Sequence, residues 1–338
     1  MSAVVGARPV RRRRLSTTAI VFIVLAAVLV LSAVLVTAAG KPFFTAGNLA
    51  AVLTLMSILG FVAIGQTLVI IAGSLDLSVP YVVSTASIIG AGVMAQGPAG
   101  IVPGVLAALA VSAAIGTVNG LIVTGLRVHG FIATLGVGLI ISGWLGTSFQ
   151  GSFGSAPPEF RVIGATLVAG IPLSTIIMLA CAALAALLLH RTRLGHHLYA
   201  VGGSASVARL SGVRTKVPVV VAHALCSMLA GLAGLLLLAR TSVGSPTIGS
   251  QGGYDLMSIA AVVLGGTLLA GGVGSVLGTI GGVAIFAVLD NVMSVLEVNP
   301  FLKDFIRGSV IVLAVALYAW RSVQRRPPRF RLGKEAAP

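Results

Sequence analysis

RTRLGHHLYAVGGSASVARLSGVRTK, residues Arg191 to Lys216, is the one long polar and basic interruption in an otherwise almost continuously apolar chain of 338 residues. What lies on either side of it decides the fold. Hydrophobic residues make up 57% and charged residues 9% of the chain, where a soluble domain carries about 25% charged residues. Mean hydropathy is +1.10. This is the composition of an integral membrane protein. The net charge of +15 would suggest nucleic acid if it formed a stripe on a soluble face. Here the cations sit at the chain ends and between apolar runs, and Trp and Tyr are too few for a base-stacking platform, so no nucleic acid partner is expected. Cys181 and Cys226 lie inside apolar runs and read as packing residues.

Working outward, apolar runs of spanning length fall at residues 17–39, 49–72, 79–96, 101–125, 131–149, 166–189, 217–239, 256–272, 274–296 and 304–320. A span needs about 20 residues, so the first run is a retained helix rather than a signal peptide's short core. The expected fold is an all-α bundle of about ten transmembrane helices. Its 43 glycines allow close helix approach in lipid, where burial from water cannot drive association. Alternating sides along this pattern puts seventeen Lys and Arg on one face and five on the other. Cytoplasmic loops carry the excess, so both termini and Arg191–Lys216 are assigned to the cytoplasm. The divisions are a basic arm at 1–16, a polytopic domain at 17–320 containing the loop 191–216, and a basic tail at 321–338.

Inside the basic loop, Gly202-Gly203 permits a sharp turn and Ser204 is a natural N-cap. Val207 and Leu210 lie three apart on one face, and Gly212 can close the helix in the left-handed conformation. A short amphipathic helix is expected between two spans. Either it packs on its own bundle or it presents its apolar face to a partner.

No G-x-x-x-x-G-K-[ST] phosphate cradle is present, and His196-His197 lacks the i, i+4 spacing and nearby carboxylates of a hydrolytic zinc site. No catalytic cluster and no metal site are expected. Polar residues within apolar runs are therefore weighed singly. Asp76 reads either as a functional carboxylate or, with Ser78 as the other candidate, as the cap of the helix whose first turn contains Pro80, and Asp255 likewise reads as an N-cap or a functional carboxylate. Asp290 and Asn291 read either as packed or as lining a pathway. Gln66, Asn119 and Thr134 read as interhelical hydrogen bonds or as path residues.

Four ordered segments carry a resemblance: GQTLVIIAGSLDLSVP (Gly65–Pro80), VNGLIVTGLRVHGFIATLG (Val118–Gly136), YAVGGSASVARLSGV (Tyr199–Val213) and GGYDLMSIAAVVLGGTLLAGGVGSVLGT (Gly252–Thr279). Together they resemble the membrane permease subunit of bacterial ABC importers of the ribose and simple-sugar class, from about Gln66 to the last span. Departures include Ser74-Leu75 before Asp76, Pro80 for Gly, Ser142 for Arg, Ser204 for Asn, Asp255 for Glu, Leu268 for Ser and Asp290-Asn291 for Asn-Gly.

The resemblance implies a multi-pass permease of the bacterial inner or plasma membrane, paired as two membrane subunits. It would receive a monosaccharide or polyol from a periplasmic or lipid-anchored binding protein. ATP would be hydrolysed by a separate cytoplasmic ATPase, so no cofactor is expected on this chain. Gly202, Gly203, Ser204, Val207, Arg209, Leu210 and Gly212 would form the coupling element, and the loop Arg240–Tyr254 a docking or gating surface or a plain connector. A branched-chain amino-acid ABC permease and a stand-alone secondary carrier are the alternatives.

Overall fold

The computed structural model describes residues 16–324, and the basic arm through residue 15 and the tail from residue 325 lie outside the described residues. In chain order the helices are α1 (Thr17–Ala38), α2 (Ala46–Ile71), α3 (Val79–Met94), α4 (Ile101–Gly125), α5 (Gly130–Ser148), α6 (Pro158–Ala165), α7 (Leu173–Arg191), α8 (Arg193–Gly203), α9 (Ala205–Leu210), α10 (Lys216–Thr241), α11 (Ile248–Gln251), α12 (Tyr254–Leu264), α13 (Val276–Val295) and α14 (Pro300–Gln324). Two strands, β1 (Leu167–Val168) and β2 (Ile171–Pro172), pair antiparallel as a minimal hairpin. The protein is an all-α membrane protein. Among the described residues, seven helices (α1, α2, α4, α5, α7, α10 and α13) are long and apolar enough to cross a bilayer, while α3 and α12 are shorter apolar helices.

The core forms around α2, which is buried from Ser57 to Ile71 and packs on α7, α10, α12 and α13. A Cβ built on Gly65 would lie 2.7 Å from the Cα of Cys226, so α2 and α10 meet backbone to backbone. Small residues permit that approach, and dispersion between the touching surfaces replaces the missing hydrophobic drive. α1, α4 and α5, by contrast, turn most of their apolar side chains outward.

The start of α1, the end of α2, the end of α8 and the turn after α12 gather at one end of the bundle. There Gly266 abuts Thr17, and the Gly272 amide donates to the Ile71 carbonyl at 2.9 Å. The opposite end holds Lys41, whose Nζ lies 2.7 Å from Glu297 Oε1. The lysine holds the exposed Glu297 carboxyl below the usual glutamate range.

Two expected spans have different boundaries. The run 166–189 begins as the β1–β2 hairpin and becomes helical only at Leu173. Ala169 and Gly170 both take positive φ there, which no helix tolerates. The run 256–272 stops being helical at Leu264, because Gly266, Gly271 and Gly272 adopt φ of +93°, +86° and +73°. At about 1.5 Å per residue, α12 is roughly half a span.

Its start explains why half suffices. From Val243 the chain does not cross the surface as a solvated connector, one of the two readings of Arg240–Tyr254. It descends alongside α3: Gly244 packs on Ala91, the Ser245 amide lies 3.4 Å from Ser87 Oγ, and the Gly249 amide donates to Ser84 Oγ at 3.0 Å while its Cα packs on the Pro80 carbonyl. Passing from Ala91 to Pro80 is a descent of about 16 Å along the α3 axis. α11 and the left-handed Gly253 then turn the chain into α12 at mid-bundle. Non-helical backbone at this depth is tolerated where protein covers it or where it lines a cavity.

Candidate functional site

The basic loop folds as two helices. Thr192 caps α8, and Leu198 and Val201 anchor it in the core. Ser204 caps α9 as expected, its Oγ accepting from the Val207 amide at 3.4 Å. Gly212, at φ +80°, closes α9, with its amide on the Arg209 carbonyl and the Val213 amide on that of Ala208. Val207 is 60% and Leu210 90% exposed, so the apolar face does not pack on its own bundle. Arg209 is exposed beside them.

The glycine pair has a different role from the one expected. Gly202 and Gly203 are the last residues of helical α8, and the break comes at Ser204, which is extended at φ −166°. Gly203 faces open space, whereas a Cβ on Gly202 would collide with the Ile71 carbonyl oxygen and lie 2.6 Å from the Gly272 nitrogen. Gly202 is thus a backbone crossing point between α8, α2 and the turn after α12.

Just inside the same end lies a buried polar knot built on the irregular segment Ser74–Ser78. Asp76 Oδ1 accepts the Ser78 amide at 2.9 Å and the Ser78 hydroxyl at 2.6 Å. Asp76 therefore closes a local turn, while Ser78 takes the N-cap position of α3 without a side-chain cap bond. Asn119 of α4 donates to Ser78 Oγ at 2.8 Å. His223 and Ser227, one turn apart on α10, each lie 3.5 Å from Asp76 Oδ2, and His223 Nε2 lies 3.0 Å from Ser74 Oγ. Thr134 of α5 accepts the Leu77 amide at 2.9 Å and donates to the Gly130 carbonyl. All these side chains are buried. A buried carboxylate needs such partners because its desolvation is costly. Sequence reasoning passed over Ser74, His223 and Ser227, although the i, i+4 spacing of the last two on an apolar helix was a visible signal of a shared partner.

The six candidate path residues fall in separate places. Asp76, Asn119 and Thr134 share the knot. Gln66 faces α10 nearby, with Oε1 3.6 Å from Cys226 Sγ and no partner for its Nε2 among the described residues. Asp290 lies at mid-bundle, accepting Arg307 Nε from α14 at 2.8 Å. Asn291 points elsewhere, donating to Asn48 Oδ1 at 2.9 Å and joining α13 to the start of α2. Asp255 is inside the first turn of α12, whose N-cap is Gly253, so it favours the helix dipole rather than capping it.

No group of three or more His, Cys, Asp or Glu that could hold a metal occurs among the described residues. No solved structure matches the chain. Residues 48–315 match the family described as "Branched-chain amino acid transport system / permease component". The ribose import permease protein of Escherichia coli K12 is 39% identical over 296 residues, covering 86% of this chain and 91% of its own. The ribose import permease of Bacillus subtilis 168 is 33% identical, with 80% and 84% covered. The D-allose transport system permease protein of Escherichia coli K12 is 30% identical, with 81% and 84% covered. A match of this extent, on a Gly-rich helical bundle with a capped helix in its basic loop, makes the chain a member of the permease components of bacterial ABC importers, in the ribose and simple-sugar class.

Proposed function

We propose that this chain is the membrane-spanning half of an ATP-driven importer that carries a monosaccharide or related polyol across the bacterial inner membrane. The observation that carries the reading is its similarity, over most of both chains, to permeases named for ribose and allose import. The family description names branched-chain amino acids, but the full-length relatives compared above are sugar permeases.

The mechanism proposed with it is alternating access. Two copies of the chain form the pathway, a binding protein delivers sugar at the end bearing Lys41 and Glu297, and a separate ATPase binds at the opposite end. Alternating access needs two packings biased from both sides. α9 is the cytoplasmic contact: its exposed Val207 and Leu210 enter an apolar groove of the ATPase. Movement of α9 reaches the membrane through Gly202, where α8 rests directly on the backbone of α2 and on Gly272. From there it passes to the knot around Asp76 and to the turn that joins α12 to α13. The knot is a rigid joint rather than a substrate contact, since its side chains are buried and, Asn119 Oδ1 apart, occupied with one another.

The test is uptake into vesicles containing the permease, the ATPase and an external binding protein. Uptake of labelled sugar should require internal ATP, and the double variant Val207→Asp/Leu210→Asp should insert normally yet lose sugar-stimulated ATP turnover. Uptake that persists without ATP or ATPase overturns the importer reading. Normal coupling in the double variant overturns the role of α9.

A further inference from the structure

At the foot of the re-entrant segment, α2, α12, α13 and α14 enclose a cavity of about 130 Å³. Ile58 and Met257 contribute an apolar wall, Tyr254, Asp290 and Arg307 contribute polar groups, and Gln251 sits at the mouth. The depth is set by the descent of the re-entrant chain and by the position of Asp290 in α13, so this is a polar chamber at mid-bundle. Broken helices meeting at that depth are where membrane carriers place substrate sites.

The polar groups are held but not used up. Arg307 gives Nε to Asp290 Oδ1 at 2.8 Å and Nη1 to Asp304 Oδ1 at 3.2 Å. Neither the second oxygen of Asp290 nor the Tyr254 hydroxyl has a hydrogen-bond partner within the protein among the described residues. Asp304 adds a negative charge at the exposed edge, and beside the cavity Asp290 and Arg307 form a compensated pair. A neutral ligand can bridge the free carboxylate oxygen and the phenol without separating it. Adjacent hydroxyls meet the acceptor and the phenol, while a C–H face meets Ile58, Met257 and the tyrosine ring. An engineered cavity of about 150 Å³ holds benzene, so the chamber takes one edge of a sugar ring and leaves the remainder in the mouth at Gln251.

We infer that this chamber is a mid-membrane station for a neutral polyhydroxylated substrate, with Asp290 and Tyr254 reading adjacent hydroxyls and Arg307 fixing the orientation of the carboxylate. The inference rests on the sugar-import reading and adds a place and a chemistry to it.

The experiment uses the full chain in lipid nanodiscs, with Cys181 and Cys226 replaced by Ala and a reporter thiol introduced as Gln251→Cys. The rate of thiol labelling is followed with D-ribose, D-galactose, D-allose or L-leucine. A bound sugar present at ten times its Kd slows labelling about elevenfold. Asp290→Asn removes a charge-assisted bond, weakening the sugar by about tenfold or more and cancelling the protection. Tyr254→Phe keeps the packing and should weaken it by a smaller factor, which covers the case in which Asp290→Asn fails to fold. Equal labelling with and without every sugar, or unchanged protection in both variants, overturns the inference. Protection by leucine alone overturns the sugar chemistry. ATP-dependent uptake is measured in parallel with the unsubstituted chain: uptake without protection sinks the chamber and leaves the importer standing, whereas protection with ATP-independent uptake does the reverse.

Discussion

Gly202 and Gly203 are neighbours at the end of one helix, and the same Gly→Ala change should have opposite consequences at the two. In an ordinary helix the exchange is worth about 0.5–1 kcal/mol in favour of Ala. At Gly203 the added methyl meets nothing within 4 Å, so this gain is realised or lost in noise. At Gly202 it collides with the Ile71 carbonyl oxygen and lies 2.6 Å from the Gly272 nitrogen, both backbone atoms that cannot rotate away. Relieving the collision moves α8 from α2 by about 1 Å and disturbs the 2.9 Å bond from Gly272 to Ile71. Overpacking of this kind costs about 1–3 kcal/mol. At about 2 °C per kcal/mol for a chain of this size, Gly202→Ala should lower the thermal midpoint in detergent by several degrees while Gly203→Ala leaves it unchanged or slightly raised. In vesicles, Gly202→Ala should also loosen the link between sugar and ATP turnover. Equal midpoints for the two variants would refute the backbone crossing, and normal coupling in a destabilised Gly202→Ala would refute its part in transmission.

His223→Ala removes a partner 3.5 Å from the fully buried Asp76 carboxylate and leaves a void in its place, a loss of about 1–3 kcal/mol for a buried polar group left unsatisfied. Asp76→Asn keeps an acceptor for Ser78 and removes the charge, so it should be the milder variant; a His223→Ala loss within the about 0.5 kcal/mol of a surface change would show that the carboxylate does not depend on the imidazole. At the other end, the Glu297 carboxyl is depressed by Lys41 from its ordinary 4.5. Its contribution is therefore complete above that value and is lost as pH falls through the lowered one. Both groups are exposed and screened by salt, so the effect is small and belongs to low ionic strength. Midpoints against pH should converge for the native chain and Lys41→Met in acid and separate at neutral pH, and parallel curves would exclude the pair.

Much of this was legible because a bilayer simplifies the code: a run of apolar residues either spans or does not. The helix at 101–125 and the cap at Ser204 come straight from the residues. Hydropathy cannot register backbone direction, however. Leu268, Leu269 and Val273 are as apolar as any span, yet the glycines among them take left-handed φ and the helix ends. Arg240–Tyr254 hid a descent to mid-bundle for the complementary reason. Its Gly and Ser content reads as a surface loop, and the packing of Gly249 on Pro80 is invisible until two distant segments are placed together. His223 was passed over because its partner lies 147 residues away.

These failures share a cause that bears on function. Helical stretches satisfy their own backbone and need little from their neighbours. The segments around residues 72–78, 242–253 and 265–275 do not, and each recovers its hydrogen bonds from elsewhere: Leu77 from Thr134, Gly249 from Ser84, and Gly272 from Ile71. Such segments can exchange one set of partners for another, whereas a continuous helix moves only as a rod. The knot borders the first, the chamber lies below the second, and the Gly202 crossing rests on the third. The parts of the chain least like a transmembrane helix are therefore the parts through which a rigid bundle can be switched, and α8, which leads directly into α9, rests on that system at the Gly202 crossing.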